Sequence, residues 1–97
     1  MGVIKKDELV GALEKKGFKR ENRDHIFFFF YVNGRKTSIR TMVSHNDKMI
    51  NDWLQTRIAK QMGITKPELD KFVECSMTQD IYCDVLVERK KIMIVKQ

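Results

Sequence analysis

The chain has 97 residues, of which 42% are apolar and 33% are charged, so it can form a folded core and is not a disordered tail. Lys and Arg number 19 against 13 Asp and Glu, and this net charge of +6 favours an anionic partner, nucleic acid before membrane. No transmembrane run or signal peptide is evident, so we expect one cytoplasmic domain over residues 1–97 with no membrane partner.

The first predicted element is a helix that begins at Lys6 or Asp7. Gly17 follows its last apolar position, and glycine is favoured just past a helix C-terminus. The buried positions that its spacing predicts are Leu9, Val10, Leu13 and the aliphatic stem of Lys16.

Three strands are predicted next, over residues 18–21, 25–32 and 35–43. The second is aromatic and β-branched almost throughout, which is the composition that strands favour. Asn33-Gly34 is the pair preferred in a type I′ hairpin turn. We therefore predict an antiparallel sheet in which the second and third strands form a tight hairpin.

The rest of the chain reads as helical. A second helix ends at Gly63, a third begins with a capping box at Thr65, and a fourth begins at Ser76 or Thr78. The apolar positions expected on the second and fourth helices are Ile50, Leu54, Ile58 and Met62, and Ile81, Tyr82, Val85 and Leu86. Residues 92–95 either extend the fourth helix or form a late strand, and we favour the strand.

The two-residue turn also predicts the pairing within the hairpin. Val32 pairs with Arg35, and uninterrupted pairing then places Phe28 opposite Ile39. The second face of this hairpin carries the pairs His25–Met42, Phe27–Arg40, Phe29–Ser38 and Tyr31–Lys36.

This second face is aromatic and basic, and two interpretations of it stay open. Bases of RNA can stack on the rings while the cations hold phosphates. A protein contact fits as well, because large apolar groups are rarely left bare. The contacting protein is then either a different partner or a second copy of this chain. A second copy would give a homodimer through Phe27, Phe29 and Tyr31.

Positive charge is concentrated in the first half of the chain. Residues 1–45 hold ten basic and five acidic residues, whereas residues 46–97 hold nine and eight. The alternative to a ligand-binding surface is a lysine-rich surface that is simply solvated. The residues that we predict to contact nucleic acid are Lys15, Lys16, Lys19, Arg20, Arg23, Arg35, Lys36 and Arg40.

The two histidines, His25 and His45, are predicted to lie at the same end of the hairpin. Cleavage of RNA without a metal requires a base for the 2′-hydroxyl, an acid for the leaving oxygen and cations around the phosphorus. An imidazole can take up or release a proton at neutral pH. We predict His25 as the catalytic group, with His45 and Asp24 as helpers; the alternative is a pair of ordinary surface histidines.

Other chemistries have weaker support. Cys75 and Cys83 form no Cys-x-x-Cys pair and have no histidine close in sequence, so we predict no metal site. The sequence contains no Gly-rich phosphate loop and no serine nucleophile motif, and we expect no cofactor.

Two stretches carry a family resemblance. Residues 13–19 read Leu-Glu-Lys-Lys-Gly-Phe-Lys and precede His25, while residues 58–65 read Ile-Ala-Lys-Gln-Met-Gly-Ile-Thr and follow His45. In this order, roughly over residues 7–75, the sequence resembles the HicA-type mRNA interferase toxins.

The resemblance implies a small basic ribonuclease of a toxin–antitoxin pair, with a fold like that of a double-stranded-RNA-binding domain. Such proteins cut mRNA without a metal, and a HicB-type antitoxin covers the active site. His25 stands at the position of the family's catalytic histidine and His45 at that of its second histidine. The sequence departs from the family where residues 23–25 read Arg-Asp-His instead of Gly-Ser-His, and where residues 42–44 read Met-Val-Ser instead of ending in Val-Pro.

We therefore predict an α+β fold: a three-stranded antiparallel sheet with two helices on one face. The order is α-β-β-β-α over residues 7–64, with a helical extension and a terminal strand over residues 65–97. The predicted function is RNA binding and metal-independent endoribonuclease cleavage with His25 as general acid or base. The alternatives are a non-catalytic RNA-binding module and a protein-interaction module on the same fold.

Overall fold

A computed structural model of the protein describes residues 3–74 and 76–92. One helix precedes the three strands of the main sheet and three helices follow them, a segregation that is typical of α+β folds. The elements in chain order are β1 (Ile4–Lys5), α1 (Lys6–Lys15), β2 (Phe18–Asn22), β3 (Ile26–Val32), β4 (Arg35–Val43), β5 (Met49–Ile50), α2 (Asp52–Met62), α3 (Lys66–Val73) and α4 (Gln79–Glu88).

The first helix, α1, has clear signals at both ends. The carboxylate of Glu8 accepts a hydrogen bond of 3.3 Å from the backbone N–H of Lys5, and acidic side chains in the first turn favour the helix dipole. The chain leaves the helix at Gly17, whose φ of 99° suits a residue without a Cβ. The helix buries Leu9, Val10, Ala12 and Leu13.

The strands β2, β3 and β4 form an antiparallel sheet in that order. Asn33 and Gly34 have φ values of 53° and 79°, as a type I′ turn requires at both central positions. The side chains of Ile26, Phe28 and Phe30 join the same buried cluster as the helices. The helices therefore cover one face of the sheet, which confirms the predicted α+β architecture.

The predicted pairing of the hairpin is correct near the turn and wrong beyond it. Val32 pairs with Arg35, but the register shifts between Phe29 and Tyr31, so that Phe28 pairs with Thr41 rather than with Ile39. The Thr37 hydroxyl stabilises this irregularity: it donates to the carbonyl of Phe30 at 2.7 Å and accepts from the N–H of Ile39 at 3.2 Å. Because the shift is by two residues, every side chain keeps its predicted face.

Each later helix begins after a side chain that accepts a hydrogen bond from the backbone of the first turn. Asn51 accepts from the N–H of Leu54, Thr65 from that of Glu68, and Thr78 from that of Ile81. The last two are among the predicted helix starts. Two apolar positions differ from the prediction: Ile50, predicted on the second helix, lies in β5 before it, and Ile81, predicted on the apolar face of α4, is 47% exposed.

The helices α3 and α4 are part of the hydrophobic core and do not form a separate extension. Tyr82 is fully buried, and its ring lies 5.8 Å from that of Phe18, 5.0 Å from Phe30 and 5.1 Å from Phe72, measured between centroids. Its hydroxyl donates to the carbonyl of Met62 at 2.7 Å. Burial raises the pKa of Tyr82 far above its ordinary range, so this hydroxyl stays protonated.

One feature is not predicted. The strands β1 and β5 pair as a separate two-residue antiparallel ribbon that brings Ile4 against Ile50, both buried. This ribbon ties the start of α1 to the segment before α2. The predicted terminal strand and Cys75 lie outside the described residues, apart from Ile92, which is buried.

Candidate nucleic-acid interface

The face of the β2-β3-β4 sheet opposite the helices, here called the open face, is built by the alternation of β3. Phe27, Phe29 and Tyr31 point away from the core that receives Phe28 and Phe30. Across the strands, Phe29 lies between Lys19 and Arg40, so cations flank the rings on both sides. Phe27 pairs with Met42, not with Arg40 as predicted, because of the register shift.

Each ring of the open face has a cation over it. The pairs are Arg23–Phe27, with 5.5 Å from the guanidinium carbon to the ring centroid, Lys36–Phe29, with 3.8 Å from Nζ, and Lys19–Tyr31, with 4.4 Å from Nζ. Phe29 is only 6% exposed as a result. The rings are thus covered by the protein's own cations, and the face presents positive charge rather than bare aromatic surface.

The carboxylate of Glu21 lies among these cations. Its two oxygens accept separate hydrogen bonds, one from Lys36 Nζ at 2.9 Å and one from the Arg23 guanidinium at 2.5 Å. The hydrogen bond from Lys36, reinforced by that from Arg23, holds the pKa of Glu21 below its usual value. Glu21 is therefore ionised at neutral pH and neutralises part of the open face.

Seven of the eight residues predicted to contact nucleic acid are exposed, in three kinds of environment. Lys19, Arg23, Lys36 and Arg40 belong to the open face. Arg20 is exposed on the helix side of the sheet, where it forms an ion pair of 3.1 Å with Glu14. Lys15, at the end of α1, and Arg35, at the hairpin turn, are exposed.

Lys16 is the exception, because it is buried. Its side chain passes into the core, where Nζ donates to the carbonyls of Phe72 and Met77 and lies 4.8 Å from the centroid of the Phe72 ring. Only 6% of the residue is exposed. The ammonium group donates its hydrogen bonds to carbonyls near the end of α3 and is not accessible to RNA. The prediction that Lys16 contacts RNA is therefore wrong.

His25 and His45 lie at the same end of the hairpin. The ring Nε2 of His45 donates to the carbonyl of Arg23 at 2.9 Å, since a carbonyl oxygen can only accept. His25 is exposed and directly precedes β3, and its own carbonyl accepts from the N–H of Arg23 at 3.0 Å. His45 thereby braces the turn that carries His25.

The imidazole of His25 makes no hydrogen bond to any residue that the structure describes. Asp24, its predicted helper, is exposed in the β2–β3 turn and forms no hydrogen bond or ion pair with this imidazole in the described part of the chain. The geometry thus provides a solvent-accessible imidazole beside Arg23 and leaves its ring free to orient toward a ligand. It does not provide a preformed carboxylate–imidazole pair.

A metal-ligand cluster and a membrane-spanning helix are both absent from residues 3–74 and 76–92. There, no three His, Cys, Asp or Glu side chains come together as metal ligands would. Among the same residues, no helix has both the length and the apolar character needed to cross a membrane.

Sequence reasoning predicted the buried stem of Lys16 but missed the burial of its ammonium group, and it missed the bridging position of Glu21. Of the two missed features, the bridge is the first and the ammonium group the second. The first was within reach, because the short turn between β2 and β3 predicts that Glu21 pairs with Phe27, next to the cations. The second depends on the position of the C-terminal end of α3 relative to α1, which local sequence patterns do not predict.

Comparisons with protein-family models, with curated proteins and with solved structures give no match to this chain.

Proposed function

We propose that the protein binds single-stranded RNA on the open face and cleaves it without a metal, as the HicA-type toxins do. The observation that carries the proposal is an exposed imidazole, that of His25, at the end of a sheet face lined by cations. Cations attract the RNA backbone, and an imidazole can transfer protons at neutral pH.

In this proposal His25 acts as general acid or base in transesterification. The 2′-oxygen loses its proton and attacks the adjacent phosphorus, the bond from phosphorus to the 5′-oxygen breaks, and that oxygen receives a proton. The products are a 2′,3′-cyclic phosphate and a 5′-hydroxyl. Arg23, one residue before Asp24 and close to His25 in the turn, would stabilise the charge that develops on the phosphoryl oxygens.

A cytoplasmic location and a HicB-type antitoxin partner belong to the same proposal. An antitoxin with an acidic surface would match the cations of the open face. Self-association through Phe27, Phe29 and Tyr31 is less favoured, since it would bring two like-charged faces together.

Cleavage of single-stranded RNA in the presence of EDTA tests the catalytic assignment. We expect the wild type to cut and His25→Ala to lose at least about 100-fold in rate, the usual contribution of a general acid or base. His45→Ala removes the imidazole that braces the turn carrying His25, so it should lower the rate less than His25→Ala does. A His25→Ala protein that cuts as fast as the wild type would refute the role of His25.

A non-catalytic RNA-binding module remains the second candidate, and the unanchored ring of His25 favours it. Catalytic bases are generally oriented by a third group, and the described residues supply none here. This candidate predicts that RNA binding weakens steeply with salt while the RNA stays intact. Product analysis on a denaturing gel, run on the samples used for binding, separates the two.

A further inference from the structure

The three cation–aromatic pairs of the open face form a regular row. Phe27, Phe29 and Tyr31 are alternate residues of β3, so their positions are about 6.8 Å apart along the strand. The cations that cover them follow the same row, and this repeat is similar to the separation of successive phosphates along a nucleic-acid backbone. The row therefore suits a backbone running along β3.

Glu21 has the contacts that one of these phosphates would have. Its two carboxylate oxygens accept charge-assisted hydrogen bonds, one from Lys36 and one from Arg23. Phosphate oxygens accept hydrogen bonds from Lys and Arg in the same way. All three side chains are partly exposed, at 30%, 42% and 57% for Glu21, Lys36 and Arg23, so an anion from solution can reach the cations.

The rings are poorly placed for stacking. Lys36 Nζ lies 3.8 Å from the centroid of Phe29, within the space that a stacked base would need, and Phe29 is almost fully covered. The rings instead hold the cations in position through cation–π attraction. This arrangement favours contact with phosphates over contact with bases.

We propose that Arg23 and Lys36 share one phosphate of an RNA strand and that Lys19 binds a neighbouring one. Glu21 occupies the shared phosphate position until RNA displaces it. The proposal rests on the RNA-binding part of the proposed function and not on cleavage. It makes Glu21 an internal competitor that lowers RNA affinity, and it makes binding insensitive to the bases.

The first test measures affinity for fluorescein-labelled 2′-O-methyl oligouridylate by anisotropy, over a series of salt concentrations. This probe lacks the free 2′-hydroxyl that the proposed cleavage requires, so it stays intact during the measurement. Glu21→Gln removes the competing charge and should bind about fivefold tighter than the wild type, the effect of roughly one exposed ion pair. The slope of log affinity against log salt should steepen by about 0.7 for each additional phosphate that the variant neutralises. Far-ultraviolet circular dichroism verifies that each variant is folded.

Glu14→Gln is the matched control. It removes the same charge from the ion pair with Arg20 on the helix side, so it reports the effect of net charge alone. Equal increases in affinity for Glu21→Gln and Glu14→Gln would overturn the proposal. The double variant Glu21→Gln/Lys36→Gln should lose the increase, because the released cation is then absent.

The second test is competition by an abasic oligodeoxyribose phosphate and by inorganic polyphosphate. Phosphate recognition predicts that both displace labelled oligouridylate effectively, whereas weak displacement by the abasic strand would show that bases stack and would refute the inference. The two proposals fail separately. RNA binding by the wild type without a specific increase in Glu21→Gln refutes only this inference, and absence of RNA binding by both proteins refutes both proposals.

Discussion

Lys15 and Lys16 are adjacent residues with opposite environments. Lys15 is exposed in the last turn of α1, while Nζ of Lys16 donates to the carbonyls of Phe72 and Met77 inside the protein. A charge withdrawn from water is tolerated only where its hydrogen bonds are made, and here carbonyls near the end of α3 accept them. The same residue type therefore lies in solvent at one position and supports the core at the next.

The pair gives a prediction at this scale. Lys16→Met keeps the apolar stem but leaves buried carbonyls without their donor, so we expect a loss of about 1–3 kcal/mol in the free energy of unfolding. Lys15→Met should change it by less than about 0.5 kcal/mol, as is usual at the surface. Urea denaturation measures both values, and equal stabilities would contradict the buried role of Lys16.

At the scale of elements, the N-terminus of α3 is joined to the C-terminus of α4. Both oxygens of Glu68 accept hydrogen bonds of 2.7 Å from the guanidinium of Arg89, and Glu68 also accepts from the N–H of Thr65 in the capping box. The Arg89 hydrogen bond is the main reason that the pKa of Glu68 falls to about 2, against an ordinary 4.5.

The direction of this shift determines how stability depends on pH. A carboxyl whose pKa is lower in the folded state stabilises the protein above about pH 4.5, and the contribution is lost as the pH falls toward about 2. Because the pair is partly solvated, we expect Arg89→Gln to be modestly less stable than the wild type near pH 6, with the difference shrinking as the pH falls toward about 2. Urea titrations at several pH values measure it. Lys90→Gln is the control, and a pH-independent difference for Arg89→Gln would contradict the assignment.

At the scale of the whole molecule, the helices after residue 64 belong to the core. Tyr82 fills the space between Phe18, Phe30 and Phe72, which come from β2, β3 and α3. A chain of about 60 residues is marginally stable even with a complete core. We expect a fragment ending at residue 64 to lack cooperative unfolding and dispersed amide resonances.

Tyr82→Phe in the full chain is the control for that fragment. It keeps the ring and removes only the hydrogen bond to Met62, so about 1 kcal/mol should be lost while the fold stays intact. Cooperative thermal unfolding of the fragment, followed by circular dichroism, would instead make residues 65–92 a separable extension.

Local patterns in the sequence were sufficient for the order of the four helices and the three strands of the main sheet, for the type I′ turn, for the capping box at Thr65 and for the assignment of β3 side chains to two faces. These properties depend on residues close in sequence, through backbone propensity and alternation. Only the tertiary structure decided the hairpin register from Phe29 toward the start of β3, the burial of the Lys16 ammonium group and the covering of the aromatic rings by cations. Each of these features depends on contacts that local patterns do not determine. The Thr37 hydroxyl stabilises the shifted register, the carbonyls near the end of α3 accept the hydrogen bonds of Lys16, and cations from the neighbouring strands cover the rings. Among arrangements that are equivalent locally, these contacts select the one of lowest free energy.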